Sequence, residues 1–336
     1  MLEPLKGSPL VAFVAALLAA LAVTPLVRAL AWRCNALAHP NARRLHAEPI
    51  AQWGGIAIFV GVALAALLWR QPSPQDLRWL APSGTVADVK AVSQTLHLST
   101  TFFGCGFLML LLGMLDDRFD LPPLWKFLGQ FVIVYLLWYS GVRIRTMPFT
   151  AGTHILSDSV SLALTMIWVV GLTNAMNFID GVDGLAAGMC AIGAASLCFI
   201  EWAKAPWAAA ASAAICGACL GFLRYNFPPA RIFLGDAGSL LLGFWLAAIA
   251  VAATSKTAAA TTLALPMLVL GIPLFDTIWS VVRRTMARQP IWRADRGHLH
   301  HRLLARGFSP RHTIFVLYTV AAVLGATAVL WARTRG

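Results

Sequence analysis

Charge is what this chain has least of. Asp, Glu, Lys and Arg together make up 12% of 336 residues, where soluble domains carry about 25%. Hydrophobic residues supply 59% and mean hydropathy is +0.73, so lipid, not water, is the solvent that this composition suits. No polar stretch is long enough to form a separate soluble domain, and residues 1–336 read as a single polytopic membrane domain. Acid is scarcer still, with 14 Asp and Glu against 26 Lys and Arg, and lysine itself occurs five times. In a membrane protein a basic excess reflects orientation and anionic lipid. No RNA- or DNA-binding motif accompanies it, so nucleic acid is not an expected partner. Six cysteines include Cys216 and Cys219, but they sit in an apolar run without a second ligand pair and read as helix packing.

What the chain has instead is apolar length. The first run, from Leu10 to Ala31, exceeds the roughly 7–15 apolar residues of a signal peptide, and it reads as a retained helix despite Lys6 before it and Ala36-Leu37-Ala38 after it. Ten segments have the length that a hydrocarbon core of about 30 Å requires: 10–31, 53–69, 97–115, 125–141, 156–173, 185–202, 207–224, 237–254, 260–283 and 312–332. All are expected to be helices, because lipid offers a backbone no partner outside its own helix. The expected fold class is therefore an all-α integral membrane protein of about ten transmembrane helices with cytoplasmic loops. Pro266 and Pro273 are expected to kink the ninth, and 70–96 and 142–155 to be loops.

Ten spans sort the connectors into two sets. The set holding 32–52, 116–124, 174–184, 225–236 and 284–311 receives 16 of the Lys and Arg residues and the other set receives 10, which places the first set in the cytoplasm. The acids are sorted more sharply. Asp116, Asp117, Asp120, Asp180, Asp183, Asp236 and Asp295 fall in that set or at its helix ends, and Asp276 lies one or two turns inside the same face. Charge at the bilayer centre costs about 2.5–3.5 kcal/mol on insertion scales, yet that cost does not force acids to one side. They read as one site.

Four motifs carry the chemistry. Asp116-Asp117-Arg118-Phe119-Asp120 opposes two carboxylates, which need a divalent cation, a basic partner or a raised pKa; taken alone it reads equally as a solvated helix end. Asn174-Ala175-Met176-Asn177-Phe178-Ile179-Asp180-Gly181-Val182-Asp183-Gly184-Leu185 packs more polar groups than a capping turn uses, among glycines that allow close approach of backbone to ligand. Phe233-Leu234-Gly235-Asp236-Ala237-Gly238-Ser239 is either an N-cap or a carboxylate that reaches a metal while neighbouring N–H groups face a phosphate. Arg296-Gly297-His298-Leu299-His300-His301 lacks the cysteines or HExxH of a zinc site; with Arg293 and Arg302 it suits phosphate or pyrophosphate, or else faces lipid headgroups. Lys126, the one lysine expected at the inner face, is a snorkelling anchor or a phosphate contact.

Together these motifs resemble the polyprenyl-phosphate N-acetylhexosamine-1-phosphate transferase family of glycosyltransferase family 4. The resemblance runs over about residues 39–311: Arg43-Arg44-Leu45-His46 with Gly54-Gly55, Leu115-Asp116-Asp117, Lys126 to Gln130, the Asn174 to Leu185 block, Asn226 with Phe233 to Ser239, and His298-Leu299-His300-His301. It implies transfer of a sugar 1-phosphate from a UDP-N-acetylhexosamine to undecaprenyl phosphate, with release of UMP and a need for magnesium, or manganese in its place. It also implies a bacterial inner-membrane location with the site facing the cytoplasm, and leaves room for a homodimer. By the resemblance, Asn177 and Asp236 are the metal ligands, and Asp116 and Asp117 contact metal or activate the lipid phosphate. Asp180, Asp183, Asn226 and Phe233 line a uridine pocket, with Asn174 also on the substrate side; Lys126, Arg296, His298, His300 and His301 serve the phosphates.

The His-Leu-His-His form after Arg296-Gly297 resembles the GlcNAc-1-phosphate transferases of the O-antigen and teichoic-acid branch, whereas the peptidoglycan enzyme more typically has three consecutive histidines. Gly54-Gly55 follows Pro49 across Ile50-Ala51-Gln52-Trp53 and so departs from a Pro-x-x-Gly-Gly spacing, which leaves the first loop no clear expected role. Two other readings stand beside this one: a phospho-MurNAc-pentapeptide transferase, and a membrane transporter, whose intramembrane acids would sit near the midplane.

Overall fold

The computed structural model describes residues 8–38, 48–68, 86–146, 155–254, 264–288 and 297–334. Arg43, Arg44, His46, Arg293, Asp295 and Arg296 lie outside the described residues, and so do most of the two expected loops 70–96 and 142–155.

Helix dominates, and proline sets where several helices begin. α1 (Pro9–Arg33), α4 (Pro123–Tyr139), α7 (Pro206–Asn226) and α12 (Pro310–Thr334) each open on a proline, whose fixed φ and missing donor suit the first helical turn. The others are α2 (Gly54–Leu68), α3 (Val86–Phe119), α5 (Asp158–Ile179), α6 (Leu185–Glu201), α8 (Gly235–Thr254), α9 (Ala264–Val269), α10 (Gly271–Met286) and α11 (Leu299–Ala305). A helix lies on each of the ten expected segments. Six are long and apolar enough to cross a membrane: α1, the His97–Phe119 part of α3, α5, α7, α8 and α12. α2 and α6 are apolar but shorter, α4 has 17 residues, and the expected ninth span is divided. The chain is a multi-pass helical membrane protein.

The division of the ninth segment is sharper than the expected kink. α9 ends at Val269, Leu270 turns, and α10 begins at Gly271. Pro273 explains the position, because its ring crowds the carbonyl four residues back, at Val269, and it has no N–H to offer that carbonyl.

α8 is the axis of the bundle. Leu240, Leu241, Leu242, Phe244, Trp245, Leu246 and Ile249 are all fully buried, as expected of a helix that is apolar on every side. α3 and α5 pack along it, and α2 and α6 touch it as well. Trp245 ties three helices together: its ring stacks on Phe102 at 5.0 Å and on Phe59 at 5.6 Å, and its Nε1 donates to the Phe102 carbonyl at 3.2 Å.

Close backbone approach fixes the start of α8. Gly54 and Gly55 donate to the carbonyls of Phe233 and Leu234 at 3.1 and 3.2 Å, and a methyl group on Gly55 would stand 2.5 Å from the Ala237 carbonyl carbon. This gives Gly54-Gly55 the role that its spacing left open. The one sheet among the described residues is small: β1 (Leu37–Ala38) pairs antiparallel with β2 (Ile50–Ala51), and Ala51 also bridges Ile232. The Ala51 carbonyl accepts the Phe233 N–H at 2.8 Å, so the first connector braces the chain just before Asp236.

Gly55→Ala should therefore lower stability by about 1–3 kcal/mol through overpacking, read as a drop in melting temperature in detergent. Gly104→Ala, at a site with nothing within 4 Å, should be neutral or slightly stabilising.

Candidate active site

Four helix ends meet at one end of the bundle: the C-terminus of α3, the N-terminus of α4, the C-terminus of α5 and the N-terminus of α8. The side chains follow from that arrangement. Lys126, in the first turn of α4, places its Nζ 2.5 Å from Asp116 Oδ2, 2.5 Å from Asp236 Oδ2 and 3.3 Å from Asn177 Oδ1. Asn177 turns its Nδ2 to Asp236 Oδ1 at 2.6 Å and to Ser239 Oγ at 2.9 Å. One turn further along the same two helices, Gln130 and Asn174 repeat the pairing: Asn174 Nδ2 donates to Gln130 Oε1 at 2.6 Å and to the Val170 carbonyl at 2.8 Å. Lys126 with Gln130, and Asn177 with Asn174, thus form two polar rungs between α4 and α5.

The adjacent carboxylates avoid each other by facing different partners. Asp116 takes Lys126 and the Leu121 N–H, at 2.9 Å. Asp117 caps α8, with Oδ1 accepting the Asp236 N–H at 2.8 Å and Oδ2 the Ala237 N–H at 3.1 Å. This corrects one expectation from sequence. The N–H groups beside Asp236 do not face a phosphate; a carboxylate from α3 already satisfies them, as an anion at a helix N-terminus should. Gly235, at φ +72°, permits it, because a side chain there would be strained and would press on Asp117.

The Asp180–Gly184 turn continues the site. Asp180 is held well above the ordinary carboxylate range by burial, then by the negative charges of Asp236 and Asp183. Asp183 Oδ2 accepts the Ala230 N–H at 2.9 Å. Asn226, 2% exposed, spends both ends of its amide on backbone, accepting from Gly184 N at 3.0 Å and donating to the Ile232 carbonyl at 3.0 Å. It staples the Asp180–Gly184 turn to the segment leading into α8. Phe233 is pinned through its backbone, to Ala51 on one side and Gly54 on the other.

The histidines form a second cluster that meets the first across residues 177–181. His298 stacks on Phe178 at 5.7 Å and on His300 at 5.9 Å, and His300 lies 4.2 Å from His301. His300 is 1% exposed, and its Nε2 has no hydrogen-bond partner and abuts Gly181, where a methyl group would come within 2.5 Å. Burial, with His301 and His298 as neighbours, pushes His300 down to about 3. Of the residues singled out from sequence, Arg296 lies outside the described residues.

Sequence reasoning gave no role to Ser239 beyond a turn, or to Tyr318, whose hydroxyl donates to the Gly184 carbonyl at 2.6 Å. Ser239 was findable, since it lies one turn from Asp236 on the same helix; Tyr318 had no local signal. All five described buried cysteines are free, Cys216 and Cys219 included, as packing residues would be.

Could these residues hold a cation? Among the described residues no group of three or more His, Cys, Asp and Glu side chains stands assembled around a metal position. Magnesium does not require one, because it is commonly held by one or two carboxylates with water and substrate phosphates. Asp116, Asp236 and Asn177 already direct three hard oxygens onto one cation, the Lys126 ammonium. The donor set fits magnesium.

Comparison with known proteins agrees with the geometry. Residues 99–254 match the family described as glycosyl transferase family 4. A Bacillus subtilis protein named as a probable undecaprenyl-phosphate N-acetylglucosaminyl 1-phosphate transferase is 32% identical over 323 residues, 95% of this chain and 84% of its own length. The chain belongs to glycosyl transferase family 4. A second family member, the decaprenyl-phosphate N-acetylglucosaminephosphotransferase of Mycolicibacterium smegmatis, is 34% identical over 98% of this chain and 83% of its own. An undecaprenyl-phosphate alpha-N-acetylglucosaminyl 1-phosphate transferase of Yersinia pestis is 28% identical over 89% and 77%. The matched segment of this family 4 chain contains Asp116, Asp117, Lys126, Asn177 and Asp236, the five side chains that meet.

One pH effect follows from His300. Its folded pKa, about 3, lies below the value of 6.5 usual for histidine, so the unfolded chain takes up a proton that the folded chain refuses. That contribution is fully present above pH 6.5 and is lost as pH falls toward 3, by up to about 1.4 kcal/mol per pH unit. Melting temperature should fall between pH 6.5 and 5, and His300→Gln should flatten that slope.

Proposed function

We propose that this protein transfers N-acetylglucosamine 1-phosphate from UDP-N-acetylglucosamine to undecaprenyl phosphate, releasing UMP and starting a lipid-linked surface glycan. The observation that carries the proposal is the junction of Asp117 and Lys126 with Asp236 and Asn177 at one end of the bundle. A phosphorylated lipid and a water-soluble nucleotide can meet only where the membrane ends. The cluster's place at helix ends also speaks against a transporter, whose site would lie near the midplane. The names of three relatives across three genera supply the sugar and the acceptor class.

In this reading ten helical passes hold the site at the cytoplasmic face of the inner membrane. Asn177 and Asp236 are the ligands for magnesium, with Asp116 beside them. The ion supplies charge neutralisation on the donor pyrophosphate. The chain's own groups do the rest. Lys126 balances acids and phosphates together, so neither repels the other on approach. His298 and His301 serve the phosphates from beside residues 178–181, and the Asp180–Gly184 turn with Phe233 receives the nucleoside.

No residue needs to take a proton from the acceptor, because a phosphate monoester has its second pKa near 6 and is already largely dianionic. Asp117 is poorly placed as a nucleophile, since both of its oxygens are held by backbone N–H groups. Direct attack of the lipid phosphate on the β-phosphorus fits the geometry better than a covalent aspartyl intermediate.

The test is transfer by purified protein in a bilayer with labelled UDP-GlcNAc, undecaprenyl phosphate and magnesium. Lipid-linked pyrophosphoryl sugar and UMP are the expected products, and a chelator should abolish both. Product from UDP-MurNAc-pentapeptide alone, or release of UDP instead of UMP, would overturn the proposal.

A further inference from the structure

Asp276 has no part in the cluster around Lys126, yet it is among the most buried acids of the protein, 3% exposed. It lies on α10, whose two faces differ. Phe275, Ile278, Trp279, Val282 and Met286 are exposed apolar residues, the face a helix turns to lipid. Asp276, Ser280 and Arg284 are buried and recur at intervals of four, the stripe that faces protein.

Asp276 gives both carboxylate oxygens to the histidine segment. Oδ2 lies 2.9 Å from His298 Nδ1, and Oδ1 accepts the Leu299 N–H at 2.9 Å. Further along α10, Arg283 Nη1 donates to the Gly297 carbonyl at 3.0 Å. The backbone is thus held on both sides of His298, and its ring stacks with both Phe178 and His300. Stacking fixes the plane of the ring, and the carboxylate fixes its rotation in that plane. A carboxylate accepts only, so Nδ1 must carry the hydrogen. Nε2 is then the nitrogen left for a ligand.

We propose that Asp276 is a positioning residue for sugar-phosphate transfer: its carboxylate accepts the Nδ1 hydrogen of His298, serves as counter-ion to the protonated ring, and aims an Nε2–H donor at a phosphate of the substrate. This rests on the functional reading above, in which His298 serves the phosphates. Partners that orient a working histidine commonly matter by about 10–100-fold, and an amide in place of such an acid strips the hydrogen from the nitrogen that it faces.

Asp276→Asn is the informative change. The Leu299 N–H still needs an acceptor, so the amide oxygen stays there and its NH₂ donates to His298 Nδ1, which leaves the ring one hydrogen, on Nε2, and no positive charge for the phosphate. ¹⁵N-histidine NMR of the protein in nanodiscs, with His298 assigned through His298→Gln, should show hydrogen on Nδ1 in the parent and on Nε2 alone in Asp276→Asn. The melting temperature should hold, because the cap on Leu299 survives. In the transfer assay kcat should fall about 10–100-fold with little change in KM. Asp276→Asn should add no further loss to His298→Ala. Hydrogen still on Nδ1 in Asp276→Asn, or losses that multiply in the double variant, would overturn the proposal. Should the parent protein transfer no sugar phosphate, the functional reading fails, while the NMR comparison still decides whether Asp276 sets the histidine.

Discussion

A single ammonium group holds this site together. Lys126 is largely withdrawn from solvent, with 15% of its side chain exposed, and Asp116 more so, with 6%. A charge in that position is tolerated only when it is paired and hydrogen-bonded, and Lys126 is bonded to Asp116 from α3, Asp236 from α8 and Asn177 from α5. Remove the lysine and two carboxylates at converging helix ends repel each other without compensation. With it, four helices have an electrostatic reason to end at the same place.

The rest of the bundle makes that meeting possible. α8 is apolar all round and so becomes the axis, which carries Asp236 to the centre of one end. Its exposed N–H groups are met by Asp117, and its first turn is approached closely by Gly55 and by Gly113, where a methyl group would come within 2.5 Å of Ala237. The polar rungs between α4 and α5 bury amides with their hydrogen bonds made, which a low-dielectric interior demands. Function and packing use the same residues here, so a loss of activity at Asn174 or Asn226 is not by itself a sign of substrate contact.

Much of this was legible in the sequence. Apolar length placed a helix on every expected span, and the one-sided distribution of acid pointed to a single site before any contact was visible. Lys126 stood out because lysine is rare. What could not be read was pairing. The repulsion of Asp116 and Asp117 left three remedies open, and only the fold shows that each acid has its own partner. The division between α9 and α10 was underestimated, because the strength of a proline kink depends on what packs beside it. Gly54-Gly55 had a spacing that assigned it no role, and it is a packing contact with α8. Asp276 was visible as an acid of the right face, but its histidine lies 22 residues away in sequence, a distance that periodicity does not span.

The central claim is that Lys126 couples acids from separate helices, and a double-mutant cycle on unfolding in detergent measures it directly. Lys126→Met and Asp116→Asn should each destabilise, by about 3–5 kcal/mol for the lysine since it strands a buried carboxylate. The pair together should cost clearly less than the sum, with a coupling of about 1–3 kcal/mol. Strict additivity of the two changes would contradict the account, because it would mean that the lysine and the acid stabilise the helix ends independently.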